Sequence, residues 1–111
     1  MSMMIYRGGP GSVSSAQVGI DKSGQINLIT GLMDVGEGAS TVLTQMAADV
    51  LGVNYEDVSA VFADTASTPN APITAGSTAT FSACTAVVEA ATELHQQLLE
   101  LAADGLEAPV Q

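Results

Sequence analysis

The sequence predicts an α+β fold: a two-layer β-β-α-β-α lobe with both helices packed on one face of a small mixed sheet. Three observations predict it. Apolar and polar residues alternate over 16–33, the period of a half-buried strand. Apolar residues recur every three to four positions over 40–51 and again over 79–103, the period of a helix. Between those stretches, 58–63 is a short apolar run, central in character.

The first strand takes Ala16, Val18 and Ile20, which alternate with Gln17 and Gly19. Asp21-Lys-Ser-Gly24 supplies a tight turn, with Gly24 placed for a positive φ. Ile26, Leu28, Thr30 and Leu32 continue the alternation, so 16–33 reads as a hairpin. The first helix buries Val42, Leu43, Met46, Ala47, Val50 and Leu51, and Gly52 stands at its C′ position. A loop with Pro69 and Pro72 follows the third strand over 64–75. The second helix carries a stripe of Phe81, Cys84, Val87, Val88, Ala91, Leu94, Leu98 and Leu101, and Gly105 is expected to end it. Residues 1–15 read as a flexible lead-in, 16–105 as the lobe, and 106–111 as a truncated tail. A long helix as the last element suggests that a further strand follows in a longer polypeptide.

Composition narrows the partners. Only 13% of the 111 residues are charged, about half the usual share, so part of the surface is expected to be covered by other protein. Twelve acidic residues face only Arg7 and Lys22, for a net charge of −10. That charge disfavours nucleic acid and anionic membranes. The single Cys84 excludes an internal disulfide framework and fits a reducing compartment, so the expected location is cytoplasmic. No apolar run approaches the length of a membrane span. His95 has no companion at metal-ligand spacing and reads as a solvated surface residue. No catalytic residue and no metal ligand is assigned.

The most informative stretch is Gly31 to Leu51. An extended segment ends at Asp34, a Gly36-Glu37-Gly38 turn follows, and a helix opens at Ser40 and Thr41. Such a turn offers backbone N–H groups at a helix N-terminus, a natural grip for an anion. The pattern returns at Ala75-Gly-Ser-Thr-Ala-Thr80, just before the second helix. Bland readings stand beside these. Gly36-Glu37-Gly38 can be a plain strand-to-helix turn, and Ser77, Thr78 and Thr80 can be N-caps. Asp34 either caps the first helix or orients the glycine turn. Thr41 and Gln45 either bond the loop above the turn or face solvent. Asp64 reads as a turn initiator, and Cys84 as a small packing residue.

The ordered set Gly31, Asp34, Gly36, Glu37, Gly38, Thr41 and Gln45, then Asp64-Thr65, Thr68-Pro69, Gly76-Ser77 and Thr80, resembles the large subunit of the molybdenum hydroxylases. That family includes xanthine dehydrogenase and aldehyde oxidase. The resemblance covers roughly residues 5–100. It implies an oxidoreductase whose molybdopterin cofactor, often a dinucleotide in bacteria, lies between lobes of this kind. It implies hydroxylation with water-derived oxygen, and electrons leaving through iron–sulfur and flavin domains. By position, Gly36, Glu37 and Gly38 match the turn that contacts the pterin. Gly76, Ser77, Thr78, Ala79 and Thr80 match the turn that approaches the phosphate region. Four positions depart from the pattern: Glu37 replaces the usual glutamine, Thr78-Ala79 stands where bacterial members often carry Arg-Ser, and Cys84 occupies a frequent glycine position. An ionised glutamate only accepts hydrogen bonds, whereas a glutamine amide also donates.

The resemblance therefore implies a cofactor-holding lobe whose partners are the remainder of the large subunit and the iron–sulfur and flavin units. The isolated chain is expected to be inactive, to lack cofactor and to self-associate. Two other functions stay open on the residues alone: a non-catalytic anion- or nucleotide-binding module, and a protein-interaction domain.

Overall fold

The computed structural model describes residues 2–4 and 13–107. Most of the expected lead-in and tail, 5–12 and 108–111, lies outside the described residues. Strand β1 (Ala16–Ile20) pairs antiparallel with β2 (Ile26–Thr30), with Val18 opposite Leu28. Strand β3 (Val58–Phe62) lies parallel to β2, with Leu28 opposite Ala60, so the sheet is mixed, in the order β1-β2-β3. Helix α1 (Ala39–Leu51) is the crossover between the two parallel strands. Helix α2 (Cys84–Leu106) packs against α1 and over β1. The expected α+β lobe is thus the observed one.

The core follows from the period-two pattern of the central strand. Ile26, Leu28 and Thr30 are buried and the residues between them are half-buried. They meet Leu43 and Ala47 of α1 and Val87 of α2. Leu28, Leu32, Leu43 and Val87 are the large side chains at full burial. Burial removes roughly 1.5–3 kcal/mol of apolar hydration for each such side chain, and this drives the layer together.

Local chemistry sets the ends of the elements. Asp21 accepts from the Ser23 amide at 2.8 Å, its hydroxyl at 2.6 Å and the Gln25 amide at 3.1 Å, closing the hairpin. Gly52 sits at φ 69°, donating to Asp49 while Val53 donates to Ala48, so α1 ends in a Schellman motif. Tyr55–Asp57 forms a short 3₁₀ turn that carries no periodic signal in the sequence.

Helix α2 differs from expectation at both ends. A π-helical turn, Ala79–Ala83, leads into it. The Cys84 amide donates to the Ala79 carbonyl, an i→i+5 bond, and Phe81 within this turn is 53% exposed. Cys84, Val87 and Ala91 are buried and Val88, Leu94 and Leu98 half-buried, but Leu101 is 70% exposed. Gly105 does not end the helix. It runs to Leu106, and Glu107 takes the left-handed position at φ 51°, donating to Ala103. Among the described residues no helix is long and apolar enough to cross a membrane.

Candidate functional site

The site begins where β2 ends. Gly31 has no side chain because the loop after β3 crosses it: a Cβ there would overlap the Pro69 carbonyl oxygen and crowd the Ala71 nitrogen at 3.2 Å. Three residues on, the Thr74 hydroxyl donates to the Met33 carbonyl at 2.7 Å. These two contacts strap the 64–75 loop across the end of β2. They deliver the Ala75–Thr80 turn beside the turn that opens α1.

That first turn is built around Asp34. One carboxylate oxygen accepts from the Gly36 amide at 2.9 Å and the Gly38 amide at 3.3 Å. The other accepts from the Ser40 amide at 2.9 Å and the Ser40 hydroxyl at 2.7 Å. Gly36 and Gly38 adopt φ of 104° and 82°, conformations that L side chains rarely take. Donation by the Ser40 hydroxyl and amide, then by the Gly36 and Gly38 amides, holds the Asp34 carboxyl far below the usual carboxylate range. Asp34 therefore both caps α1 and orients the turn, the two roles the sequence left open. The expectation of bare amides needs correcting here. Three of them already point at a carboxylate of the same chain.

Glu37, between the glycines, folds back so that its carboxylate accepts from the Val35 amide at 2.8 Å. Thr41 and Gln45 are exposed one turn further along α1.

The second turn has Gly76 at φ 57° and Ser77 at φ 63°. Thr78 is buried, and its hydroxyl donates to the Ala75 carbonyl at 2.6 Å. Thr78 has helical backbone at the head of the π turn and makes no side-chain cap. The N-cap reading of Thr78 therefore fails, because its backbone is already helical and its hydroxyl oxygen accepts from no amide of the turn that follows.

The two turns share a cavity of about 470 Å³, with Val35 and Glu37 on one wall and Thr74, Ala75 and Ser77 to Thr80 on the other. A smaller recess of about 60 Å³ continues from Glu37 and Thr80 inward to Leu43 and Cys84. Of the residues singled out in the sequence, Glu37, Ser77, Thr78, Ala79 and Thr80 line the larger cavity. Gly36, Gly38 and Gly76 shape the turns without lining it. Thr74 and Val35 were not anticipated. A threonine just before a glycine turn carries no signal of its own until its tether to Met33 is seen.

The lining offers hydroxyls of Thr74, Ser77 and Thr80 and one carboxylate, and no Lys or Arg. Such a set suits a neutral, hydrogen-bonding heterocycle with N–H donors. It does not neutralise a phosphate. Burial pushes the Cys84 thiol up from its ordinary value, away from thiolate chemistry. Among the described residues no three His, Cys, Asp or Glu side chains gather to hold a metal ion. His95 is exposed on α2.

Known proteins share the sequence and the fold. The chain is 35% identical over 94 residues to the nicotine 6-hydroxylase large subunit of Paenarthrobacter nicotinovorans, covering 85% of this chain and 12% of that protein. It is 33% identical over 92 residues to the putative xanthine dehydrogenase molybdenum-binding subunit XdhA of Escherichia coli K12, covering 82% of this chain and 12% of that protein. Among solved structures, the Cu,Mo-CO dehydrogenase superposes with a TM-score of 0.81 at 28% identity, over 87% of this chain and 12% of that one. Quinoline 2-oxidoreductase from Pseudomonas putida 86 superposes at 0.67 with 31% identity, over 87% of this chain and 12% of that one. The chain thus spans about an eighth of the length of these relatives. The profile of one family matches across residues 1–111, the stretch that contains both turns and the sheet that carries them. On sequence and fold alike, this chain belongs to the molybdopterin cofactor-binding domain family.

Proposed function

We propose that this lobe, over 16–105, serves a molybdenum-dependent oxidoreductase by holding part of its molybdopterin in the cavity between the Gly36–Gly38 and Gly76–Thr80 turns. The observation that carries the reading is that cavity: two turns far apart in sequence, Glu37 and Ser77 to Thr80, face one space. When bound, the cofactor supplies the metal at which a substrate is hydroxylated with oxygen from water.

The chain's own part is placement. Glu37, an acceptor only, suits the N–H groups of a pterin-type ring. Ser77 and Thr80 present hydroxyls that donate or accept as the ligand requires. Gly36 and Gly38, at φ of 104° and 82°, set the shape of the turn from which Val35 and Glu37 reach the cavity. Asp34 takes three amides out of competition and holds the turn in one shape before the ligand arrives. A phosphate or dinucleotide tail has no cation here and draws its countercharge from elsewhere in the subunit. That same lack of cations argues against the lobe as a free anion-binding module.

The remainder of the large subunit supplies the opposite wall. Iron–sulfur and flavin units complete electron transfer. The lobe alone holds one side of the site and turns over no purine or aldehyde.

The test is made in a full-length subunit carrying this lobe. Ala79→Trp fills the cavity from its back wall, where Ala79 is half-buried. The expected result is loss of most bound molybdenum by elemental analysis, and of pterin fluorescence after oxidative release, with the subunit still folded. Unchanged content of both sinks the proposal.

A further inference from the structure

Strand β1 lies at one edge of the sheet, and among the described residues no strand pairs with its outer side. The hairpin settles which of its backbone groups face outward. The Asp21 amide donates to the Gln25 carbonyl at 3.0 Å. Pairs along an antiparallel ladder alternate between hydrogen-bonded and non-bonded. Counting back from Asp21, Gly19 bonds to Asn27 and Gln17 to Ile29, while Ala16, Val18 and Ile20 turn their N–H and C=O groups away from β2. Nothing guards this edge. Its residues, Ala16 to Ile20, include no charge and no proline, and the register runs without a bulge. Those are the usual means of refusing a further strand.

A groove of about 260 Å³ runs beside the edge, with Ala16 to Val18 on one wall and Ala90, Glu93, Leu94 and Gln97 of α2 on the other. The four helix residues are three or four apart, so they share one face of α2. Ala90 and Leu94 are half-buried, and Glu93 and Gln97 are exposed. Gln97 donates its amide to the Glu93 carboxylate at a long 3.5 Å, and no Lys or Arg lines the groove. An open strand edge beside a helix, with a groove between them, is the arrangement by which folded domains take up an extended peptide. Backbone bonds then hold the peptide, and its alternate side chains enter the groove.

We infer that β1 and α2 together take up an extended segment from outside these 111 residues as a fourth strand, with a Lys or Arg of that segment turned toward Glu93. The outward groups of Ala16 and Val18 call for an extended backbone, which a helix cannot supply because its own groups are already paired. Glu93 calls for a cation. A second copy of this chain does not fit as the occupant. Its β1 brings no cation, and antiparallel pairing of two such edges would set both α2 helices, and both Glu93 carboxylates, on the same face. The groove shares no residue with the cavity between the glycine turns, and the inference does not rest on what that cavity holds.

Labelled peptides of about seven residues, alternating Thr and Val around a central Lys or Glu, test it by fluorescence anisotropy with the 111-residue chain. The Lys peptide should bind about threefold more tightly than the Glu peptide, and salt should narrow the gap. Two further Lys peptides carry N-methyl groups, one on its odd-numbered amides and the other on its even-numbered ones. One of the two should bind about tenfold more weakly and the other as the parent does, because only alternate amides face β1. On adding the Lys peptide, hydrogen exchange should slow at the Val18 amide and stay unchanged at Gly19, which is already bonded to β2. Glu93→Gln should erase the preference for the Lys peptide and leave the unfolding temperature unchanged. The inference is overturned if the Lys peptide does not bind, if the two methylated peptides behave alike, if the Val18 amide gains no protection, or if Glu93→Gln leaves the preference intact. A dimer in sedimentation that protects the Val18 amide without any peptide would also overturn it, by making a second copy the occupant.

Discussion

Replacing Gly31 by alanine isolates the contact on which the geometry of the cavity depends. Gly31 is not held in a left-handed conformation, so the effect is steric. Its new methyl would overlap the Pro69 carbonyl oxygen and press on the Ala71 nitrogen at 3.2 Å. Both obstacles are backbone, which cannot rotate away as a side chain can. The 64–75 loop must retreat, at a cost of about 1–3 kcal/mol, the usual range for overpacking. In a domain of this size that lowers the unfolding temperature by roughly 5–20 °C. Gly19→Ala is the matched control. Gly19 lies in β1 with nothing within 4 Å of the position its Cβ would take. Reduced freedom of the unfolded chain should stabilise that variant by up to about 1 kcal/mol. Thr74→Val removes the second strap, the 2.7 Å bond to Met33. Alone it should cost about 1 kcal/mol. Added to Gly31→Ala it should cost almost nothing, because the loop has already lifted. Urea denaturation of the four variants with the parent chain measures all these terms. If Gly31→Ala matches the parent, or the two strap variants add fully, the loop is not held as described.

Three further outcomes are expected. Asp34, Asp21 and Asp64 all ionise more readily in the fold than in the unfolded chain, owing to serine hydroxyls and backbone amides aimed at them. Their stabilisation is present above the unfolded carboxylate value near about 4 and is lost as pH falls through the lower folded values. The unfolding temperature should therefore drop on acidification below about pH 4, and Asp34→Asn should flatten that drop; an unchanged acid limb would contradict the role given to Asp34. Leu43→Ala, at a side chain 1% exposed between sheet and α2, should cost about 2–5 kcal/mol in chemical denaturation. Cys84, 7% exposed and with its thiol pushed up by burial, should react with a thiol reagent far more slowly in the native chain than in denaturant; equal rates would place it on the surface.

The elements were legible because burial in a two-layer lobe imposes a period on each of them. Ile26, Leu28 and Thr30 alternate because one face of β2 meets helices, and Leu43 and Ala47 recur because one face of α1 meets the sheet. What periodicity does not carry was missed. Tyr55–Asp57 is too short to show a period, and the π turn at Ala79–Ala83 depends on bonds one residue longer than the pattern assumes. Phe81 and Leu101 fit the apolar stripe, but a stripe says which face is apolar, not where the neighbour ends. Gly105 looked like a stop, yet the left-handed residue is Glu107.

The candidate site divides the same way. Gly36 and Gly38 were recognisable because positive φ selects glycine. Gly31 belongs to the same motif, but its reason, the Pro69 carbonyl, lies in a loop that only the fold brings near. The clamp on the first turn was half visible: Asp34 is well placed to cap, but that it takes three amides at once follows from the folded shape of the turn.

The most direct measurement is a cofactor-loaded structure of a full-length subunit that contains this lobe. The ring system of the molybdopterin should lie within hydrogen-bond reach of Glu37 and of the Ser77–Thr80 turn, with Asp34 still holding the amides of Gly36, Gly38 and Ser40. A cofactor seated out of reach of both turns, with the space between them filled by another part of the protein, would contradict the account.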